Sequence, residues 1–95
     1  MQLRRSHLRD PKILRALQYF EAVARHGSVK LAAEEFGVSA SAVSHQLRDL
    51  SQYLGEEIVL REGRGIALTD TGRRIHVEMA AVLKSMDTVI DSVIG

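Results

Sequence analysis

Ser44 and His45 stand side by side in the stretch "GVSASAVSHQL", where a hydroxyl and an imidazole could act as nucleophile and base. Such a pair works only if the two side chains face each other and a third group orients the imidazole. Neighbouring residues of a helix point about 100° apart, and we find no acid spaced to orient His45. The stretch therefore predicts no catalytic pair.

Metal and phosphate-loop chemistry also lack the residues that they need. The chain has no cysteine, and its four histidines do not pair at the i, i+4 spacing that brings two ligands onto one helical face. Gly63-Arg64-Gly65 is not followed by the Lys-Ser/Thr pair of a phosphate-binding loop. We expect a protein that is not an enzyme and a stretch of chain that holds neither a metal nor a cofactor.

The remaining candidate is one helical face of small and polar side chains, which can form hydrogen bonds to a partner. Gly37 supplies a sharp turn, and Ser39 can cap the helix that follows it. The apolar residues of this third helix step by four, three and four and predict a buried stripe: Val43, Leu47, Leu50 and Leu54. The opposite face carries small or polar side chains: Ser41, Ser44, His45, Arg48 and Gln52.

The elements around that helix follow from the same patterning. A first helix begins at Ile13, and its apolar face continues through Leu14, Leu17, Phe20, Val23 and Ala24. Ser28 caps a second helix that buries Leu31, Ala32 and Phe36. A short β-hairpin is expected around residues 58–61 and 66–69. Thr69 caps a last helix over residues 70–95, whose apolar residues recur at steps of four and three.

Length and charge set further bounds. Ninety-five residues with a net charge of +1 suit one small domain with an appended element. Positive charge gathers in residues 1–15 and 61–74, as a phosphate-binding surface would require. No apolar run approaches a membrane span. We expect a cytoplasmic protein without membrane contact, whose basic arm over residues 1–12 is disordered and is either an idle tail or a contact to DNA.

The second and third helices together predict a helix-turn-helix. Ala33 lies four residues before Gly37, and Val43 lies six after it. A small residue lets two helices approach, glycine makes the turn between them, and a branched apolar residue seats the second helix. A basic hairpin after this unit is the order of a winged helix-turn-helix.

Across residues 14 to 75 the chain resembles the N-terminal DNA-binding domain of LysR-type transcriptional regulators. The resemblance is carried by motifs spread over the whole unit: Gly27-Ser28, Ala32-Ala33, Val38-Ser39, Ala42-Val43-Ser44, Leu54-Gly55, Arg61, Gly63-Arg64-Gly65, Leu68-Thr69 and Gly72. It implies a mainly α fold with a small β-hairpin: a winged helix-turn-helix over residues 13–69, followed by a long linker and dimerisation helix over 70–95.

The resemblance also implies function. The third helix, about residues 39–54, would read double-stranded DNA in the major groove, and the wing would lie on the backbone or in the minor groove. The residues expected to contact DNA are Ser28, Lys30, Ser39, Ala40, Ser41, Ser44, His45, Arg48, Arg61 and Arg64. The residues expected to pair two subunits are Ile75, Met79, Val82, Leu83, Met86, Val89 and Ile90. The family adds a ligand-sensing effector domain, absent from these residues, with a small-molecule effector and a dimer or tetramer in the full-length protein.

Several positions depart from the family's usual residues. The family often has Thr where Lys30 stands, Gln-Pro at Ala40-Ser41 and Arg at His45. Glu is usual at Ser51, and an aromatic residue at Val59. The first three departures lie on the expected DNA side, so they leave the fold intact and change the expected operator sequence.

Two other functions remain open from the residues alone. A winged helix can contact protein or RNA without reading duplex DNA, and a module can serve dimerisation only. Within the DNA-binding interpretation, Ser39 could act only as a helix cap, and Arg48 or Arg61 could be held in a salt bridge. Dimerisation alone would leave the polar face of the third helix without a role.

Overall fold

The computed structural model describes residues 6–63 and 65–95 of the chain. The described part contains four α-helices and one two-stranded antiparallel hairpin: α1 (Pro11–His26), α2 (Val29–Phe36), α3 (Ala40–Leu54), β1 (Val59–Glu62), β2 (Gly65–Leu68) and α4 (Asp70–Ile94). A short 3₁₀ helix, His7–Arg9, precedes α1. This order confirms the predicted winged helix-turn-helix with a long C-terminal helix.

Each of the three later helices is capped by a hydroxyl side chain, as the sequence predicts: Ser28, Ser39 and Thr69. Ser28 Oγ accepts the backbone N–H of Leu31, and Thr69 Oγ1 accepts that of Gly72. Gly37 follows α2 with φ 67°, a left-handed conformation that costs a side chain more than it costs glycine. The caps and the turn therefore place α2 and α3 in the predicted helix-turn-helix.

The first helix begins earlier than predicted. Pro11, not Ile13, is its first residue, because Asp10 caps it by accepting the N–H of Lys12 at 2.9 Å, and proline suits a first helical position. The expectation of a disordered arm is wrong for residues 6–12, which form the 3₁₀ helix and the start of α1. Residues 1–5 of the expected arm lie outside the described residues.

The core lies where α1, α2 and α3 meet. Its largest fully buried side chains are Phe20, Leu50, Ile58, Val23 and Val43. Ala32 and Ala33 are buried as well, so α2 approaches its neighbours with little side-chain bulk between them. Phe36 covers one edge of this core, with its ring 4.9 Å from that of Tyr19 in an edge-to-face arrangement.

Two residues expected in the core are exposed instead. Leu31 is 46% exposed, because the buried face of the short α2 is centred on Ala32 and Ala33. Leu54 is 41% exposed, because α3 ends there and Ser51 is the last buried residue of the helix. The Ser51 carbonyl accepts the backbone N–H groups of Gly55 and Glu56, at 2.8 Å and 3.2 Å.

Each strand of the hairpin lies one residue closer to the turn than predicted. Its register pairs Val59 with Leu68 and Glu62 with Gly65. Ile58 had been placed in the first strand, but its side chain is fully buried in the core. At Gly72, in the first turn of α4, an added Cβ would overlap the Ile58 carbonyl oxygen. The wing and α4 are thus packed backbone against backbone.

Candidate nucleic-acid interface

The outward face of α3 carries the predicted small polar residues. Ala40, Ser41 and His45 are exposed, while Val43 and Leu47 point into the core. Ser39 caps the helix by accepting the N–H of Ala42 at 3.1 Å, and its Oγ lies 3.3 Å from that of Ser41. The first turn of α3 therefore presents hydroxyl groups and no bulky side chain.

The start of α2 lies beside this face. Ser28 caps α2, since its Oγ accepts the Leu31 N–H at 3.1 Å. Lys30 is exposed in the first turn of α2. Val29, between them, lines the cleft that α3 forms with the hairpin. Val29 is thus the residue of this segment that lines the cleft, and its sequence neighbours Ser28 and Lys30 are the predicted contact residues.

That cleft separates α3 from the wing and encloses about 710 Å³. Ser44, Arg48 and Gln52 line it from α3, and Arg61 lines it from β1. In the described part of the chain, no carboxylate lies within 4.0 Å of Arg48 or Arg61. The salt-bridged alternative considered for these two arginines is therefore not what the structure shows, and both guanidinium groups are free to meet an anion.

His45 has an acidic neighbour that the sequence reasoning missed. Its Nε2 lies 3.4 Å from an Oδ of Asp49, one turn further along α3. The i, i+4 spacing was the signal that could have found this pair. The His45 side chain is 66% exposed and the Asp49 side chain 50%. Ser44 points to a different side of the helix. The pair orients the imidazole on the open surface and builds no catalytic triad.

Acidic residues close the cleft near the end of α3. Glu56 and Glu57 both line it, and the sequence reasoning placed neither of them there. A Glu56 carboxylate oxygen accepts the Thr71 hydroxyl at 2.6 Å, and the Glu57 carbonyl accepts the Thr69 hydroxyl at 2.8 Å. These bonds tie the turn before the wing to the start of α4. The positively charged part of the cleft lies at Arg48 and Arg61.

An ion-pair network ties the last turn of α2 to the end of α1. Arg25 donates to both oxygens of Glu21 and to both oxygens of Glu35, at 2.9 to 3.0 Å. His26 Nε2 lies 2.7 Å from Glu35 as well. Hydrogen bonds from Arg25, then from His26, lower the pKa of the Glu35 carboxyl to about 2. Hydrogen bonds to Glu21 and Glu35 raise the pKa of Arg25.

The predicted pairing seam of α4 divides into two parts. Near the start of the helix, Ile75 packs against the core of its own domain, and Met79 and Leu83 are half-buried. Four members of the set are exposed by 46 to 63%: Val82, Met86, Val89 and Ile90. The structure thus gives Ile75 an intramolecular role that the sequence had not assigned to it. The exposed members share one face, because they recur at steps of three and four.

One expected contact residue lies outside the described residues. Arg64, expected at the wing tip, lies outside them. Within residues 6–63 and 65–95, no group of three His, Cys, Asp or Glu side chains could hold a metal ion. Over the same residues, no helix is both long enough and apolar enough to cross a membrane.

Comparison with known proteins places this arrangement in a family. The sequence model of the bacterial regulatory helix-turn-helix proteins of the lysR family matches residues 14–73. The chain is 41% identical over 85 residues to the RuBisCO operon transcriptional regulator of Allochromatium vinosum, covering 86% of this chain and 28% of the relative. It is 49% identical over 68 residues to the HTH-type transcriptional regulator TrpI of Pseudomonas aeruginosa, covering 72% and 23%.

Solved structures show the same likeness. A CbnR DBD–DNA complex matches with a TM-score of 0.72 and 32% identity, over 82% of this chain and 90% of that one. A BenM DBD complex with catB site 1 DNA matches with a TM-score of 0.78 and 26% identity, over 84% and 89%. The chain spans about a quarter of the length of the curated relatives that it matches. With this match over most of its length, the chain belongs to the lysR family of bacterial regulatory helix-turn-helix proteins.

Proposed function

We propose that this chain binds double-stranded DNA sequence-specifically and so controls transcription. The observation that carries the proposal is the trim polar face of α3, which stands beside a cleft with two unpaired arginines, Arg48 and Arg61. The two solved relatives, which share this fold at 32% and 26% identity, are complexes with DNA, which supports the same partner here.

The dimensions of α3 suit the major groove. That groove is about 12 Å wide, and a helix with its side chains measures about 10–12 Å across. Short side chains at Ala40, Ser41 and Ser44 let the backbone approach the base edges. In this arrangement Ser44, His45 and Arg48 read bases. All three stand on the outward side of α3, after its first turn.

The residues around α3 fix its position on the duplex. Phosphate contacts position a protein, whereas base contacts specify the sequence. Arg61 supplies positive charge from the cleft and Lys30 from the exposed first turn of α2. Ser28, Ser39 and Ser41 supply hydroxyls at helix starts. Arg64, in the wing loop, is assigned to the backbone or the minor groove on the resemblance alone.

Two copies act together through α4. The exposed apolar residues of this helix (Val82, Met86, Val89 and Ile90) have no cover within the described chain. An apolar stripe on a free helix favours association, and a pair of symmetric subunits requires a pair of half-sites. A dimer joined along this stripe therefore binds a pseudo-symmetric operator, and the full-length protein can assemble further.

Three properties follow from this function. In this function the chain recognises DNA and is not an enzyme. It acts in the cytoplasm, where bacterial DNA lies. The longer relatives leave room for a domain that senses a small-molecule effector.

The test is DNA binding at increasing salt concentration. If a dimer contacts about six to eight phosphates, the logarithm of the binding constant should fall against log salt with a slope of about −5 to −7. Selection from a random duplex pool should then return one pseudo-symmetric motif. A slope near zero, or equal binding to duplex DNA and structured RNA, would contradict the proposal.

A further inference from the structure

The ordered N-terminal segment over residues 6–12 lies outside the region that matches the family, which begins at residue 14. The segment is held in place at both ends. Ser6 caps its 3₁₀ helix by accepting the Leu8 N–H, and Asp10 caps α1.

A contact to α3 fixes where this segment lies. The His7 imidazole is hydrogen-bonded to the Tyr53 hydroxyl. The two rings also pack edge to face, with centroids 5.6 Å apart and planes at 87°. Tyr53 lies in the last turn of α3. The segment is therefore docked on the same helix that we propose for the major groove.

The docking is on the flank of α3 away from the wing. At about 100° per residue, Ser44, which lines the wing cleft, lies about 100° to one side of His45. Tyr53 lies about 80° to the other side of His45 and about 12 Å further along the helix axis. At the last turn of α3, the N-terminal segment thus lies on the side of the helix away from the wing.

The segment carries cations without acidic partners. Arg9 and Lys12 are exposed, and in the described part of the chain no carboxylate lies within 4.0 Å of either. The carboxylate of Asp10, the one acid between them, is bonded to the Lys12 N–H at 2.9 Å. Two unpaired cations held near the rim of a DNA-binding helix fit a polyanion that passes alongside it.

We propose that residues 6–12 form a second phosphate-binding surface, in which Arg9 and Lys12 contact the DNA backbone just outside the half-site that α3 reads. The proposal rests on the DNA binding proposed above. The contacts are to phosphate, so they add affinity and salt dependence without adding sequence preference. Tyr53 acts as a positioning residue that holds the segment against α3.

The experiment compares two duplexes that carry the selected operator, one trimmed to the motif and one extended at both ends. Binding of the whole chain is measured by fluorescence anisotropy over a range of salt concentrations. Wild-type protein should prefer the extended duplex. The double variant Arg9→Ala/Lys12→Ala should lose about tenfold on the extended duplex, with a slope smaller by about 0.9 for each lost phosphate contact. It should bind the trimmed duplex as wild type does.

Lys84→Glu is the matched control, because it changes the charge by the same amount on the side of α4 away from the apolar stripe. It should bind both duplexes like wild type. Tyr53→Phe, which keeps the ring and loses the hydroxyl, should reduce only the preference for the extended duplex. If the double variant and the control bind the extended duplex equally, this inference is overturned while the proposed function stands. If wild type binds neither duplex, both are overturned.

Discussion

α3 and the far half of α4 are both amphipathic helices, but they use their apolar faces in opposite ways. On α3, Val43, Leu47 and Leu50 are at most 4% exposed and are covered by the chain itself. On α4, Val82 and Met86 are 48% and 46% exposed, and no described segment covers them. The same type of pattern is satisfied inside the domain in one helix and left open in the other.

The difference shows how the two helices divide the work. The inner face of α3 is fully packed, so the helix is held rigidly. Its outer face remains free to contact a ligand. The apolar face of α4 is instead the surface that needs a partner, since isolated helices gain most of their stability from packing. In the proposed function, recognition thus belongs to a polar face on a fixed helix, and assembly to an apolar face on an unsupported one.

The largest effect should come from breaking the open face. Val82→Asp/Met86→Asp places unpaired charges in the predicted seam, whose burial is costly. The dimer should dissociate while each domain stays folded, and affinity for a two-half-site operator should fall about a hundredfold or more as avidity is lost. Light scattering and anisotropy measure the two effects.

Val77→Asp is the control for this change. Val77 is 70% exposed and lies off the stripe, so the variant should remain dimeric. A wild-type protein with the mass of one 10.5 kDa chain at micromolar concentration would refute the dimer.

Gly72→Ala tests the point where α4 still belongs to the packed domain. The added Cβ would overlap the backbone carbonyl of Ile58, so α4 and the wing would have to move apart. The free energy of unfolding should fall by about 2 kcal/mol, as for other overpacked sites. Gly65→Ala is the control, because its Cβ would meet no atom closer than 3.8 Å. Equal urea midpoints for the two variants would argue against a close approach at Gly72.

Arg48→Ala and Lys30→Ala separate the two kinds of contact on the recognition side. Loss of a base-reading arginine should weaken operator binding by about 1.4 kcal/mol, or tenfold, and relax preference at one base position. Loss of Lys30 should weaken all sequences alike and lower the salt slope by about 0.9. Selected motifs for the two variants provide the measurement. Identical motifs from both would mean that Arg48 reads no base.

The smallest effect should come from titrating Glu35, in the ion-pair network between α1 and α2. Glu35 has its pKa lowered from 4.5 to about 2, chiefly by hydrogen bonds from Arg25 and then from His26. The pKa is lower in the folded protein, so the stabilisation is complete above about pH 4.5 and is lost as the pH falls towards 2. Because these side chains are more than a third exposed, solvent screening reduces the effect to about 0.5–1 kcal/mol.

Glu35→Gln should remove that part of the pH dependence. Thermal unfolding followed between pH 2 and 6 compares the variant with wild type. Parallel curves across this range would show that the ion pairs with Arg25 contribute nothing measurable to stability.

Local patterns were enough to predict most elements of this fold. Ser28, Ser39 and Thr69 begin helices because their hydroxyls satisfy free N–H groups, and that interaction needs only neighbouring residues. The stripe of Val43, Leu47 and Leu50 was predicted because apolar periodicity reports one buried face. The unexpected exposures, Leu31 and Leu54, occur where a helix is short or ends, since there the extent of the neighbouring elements decides burial.

The candidate site divides in the same way. Residue type and a period of 3.6 settle which side chains stand on the outward face of α3, because both act within one helix. The same reasoning finds the apolar stripe of α4. Folding is needed to bring Ile75 into the core, to place Arg48 and Arg61 in one cleft, and to dock His7 on Tyr53. Those facts depend on contacts between residues far apart in the chain, and their distances follow from how whole elements pack.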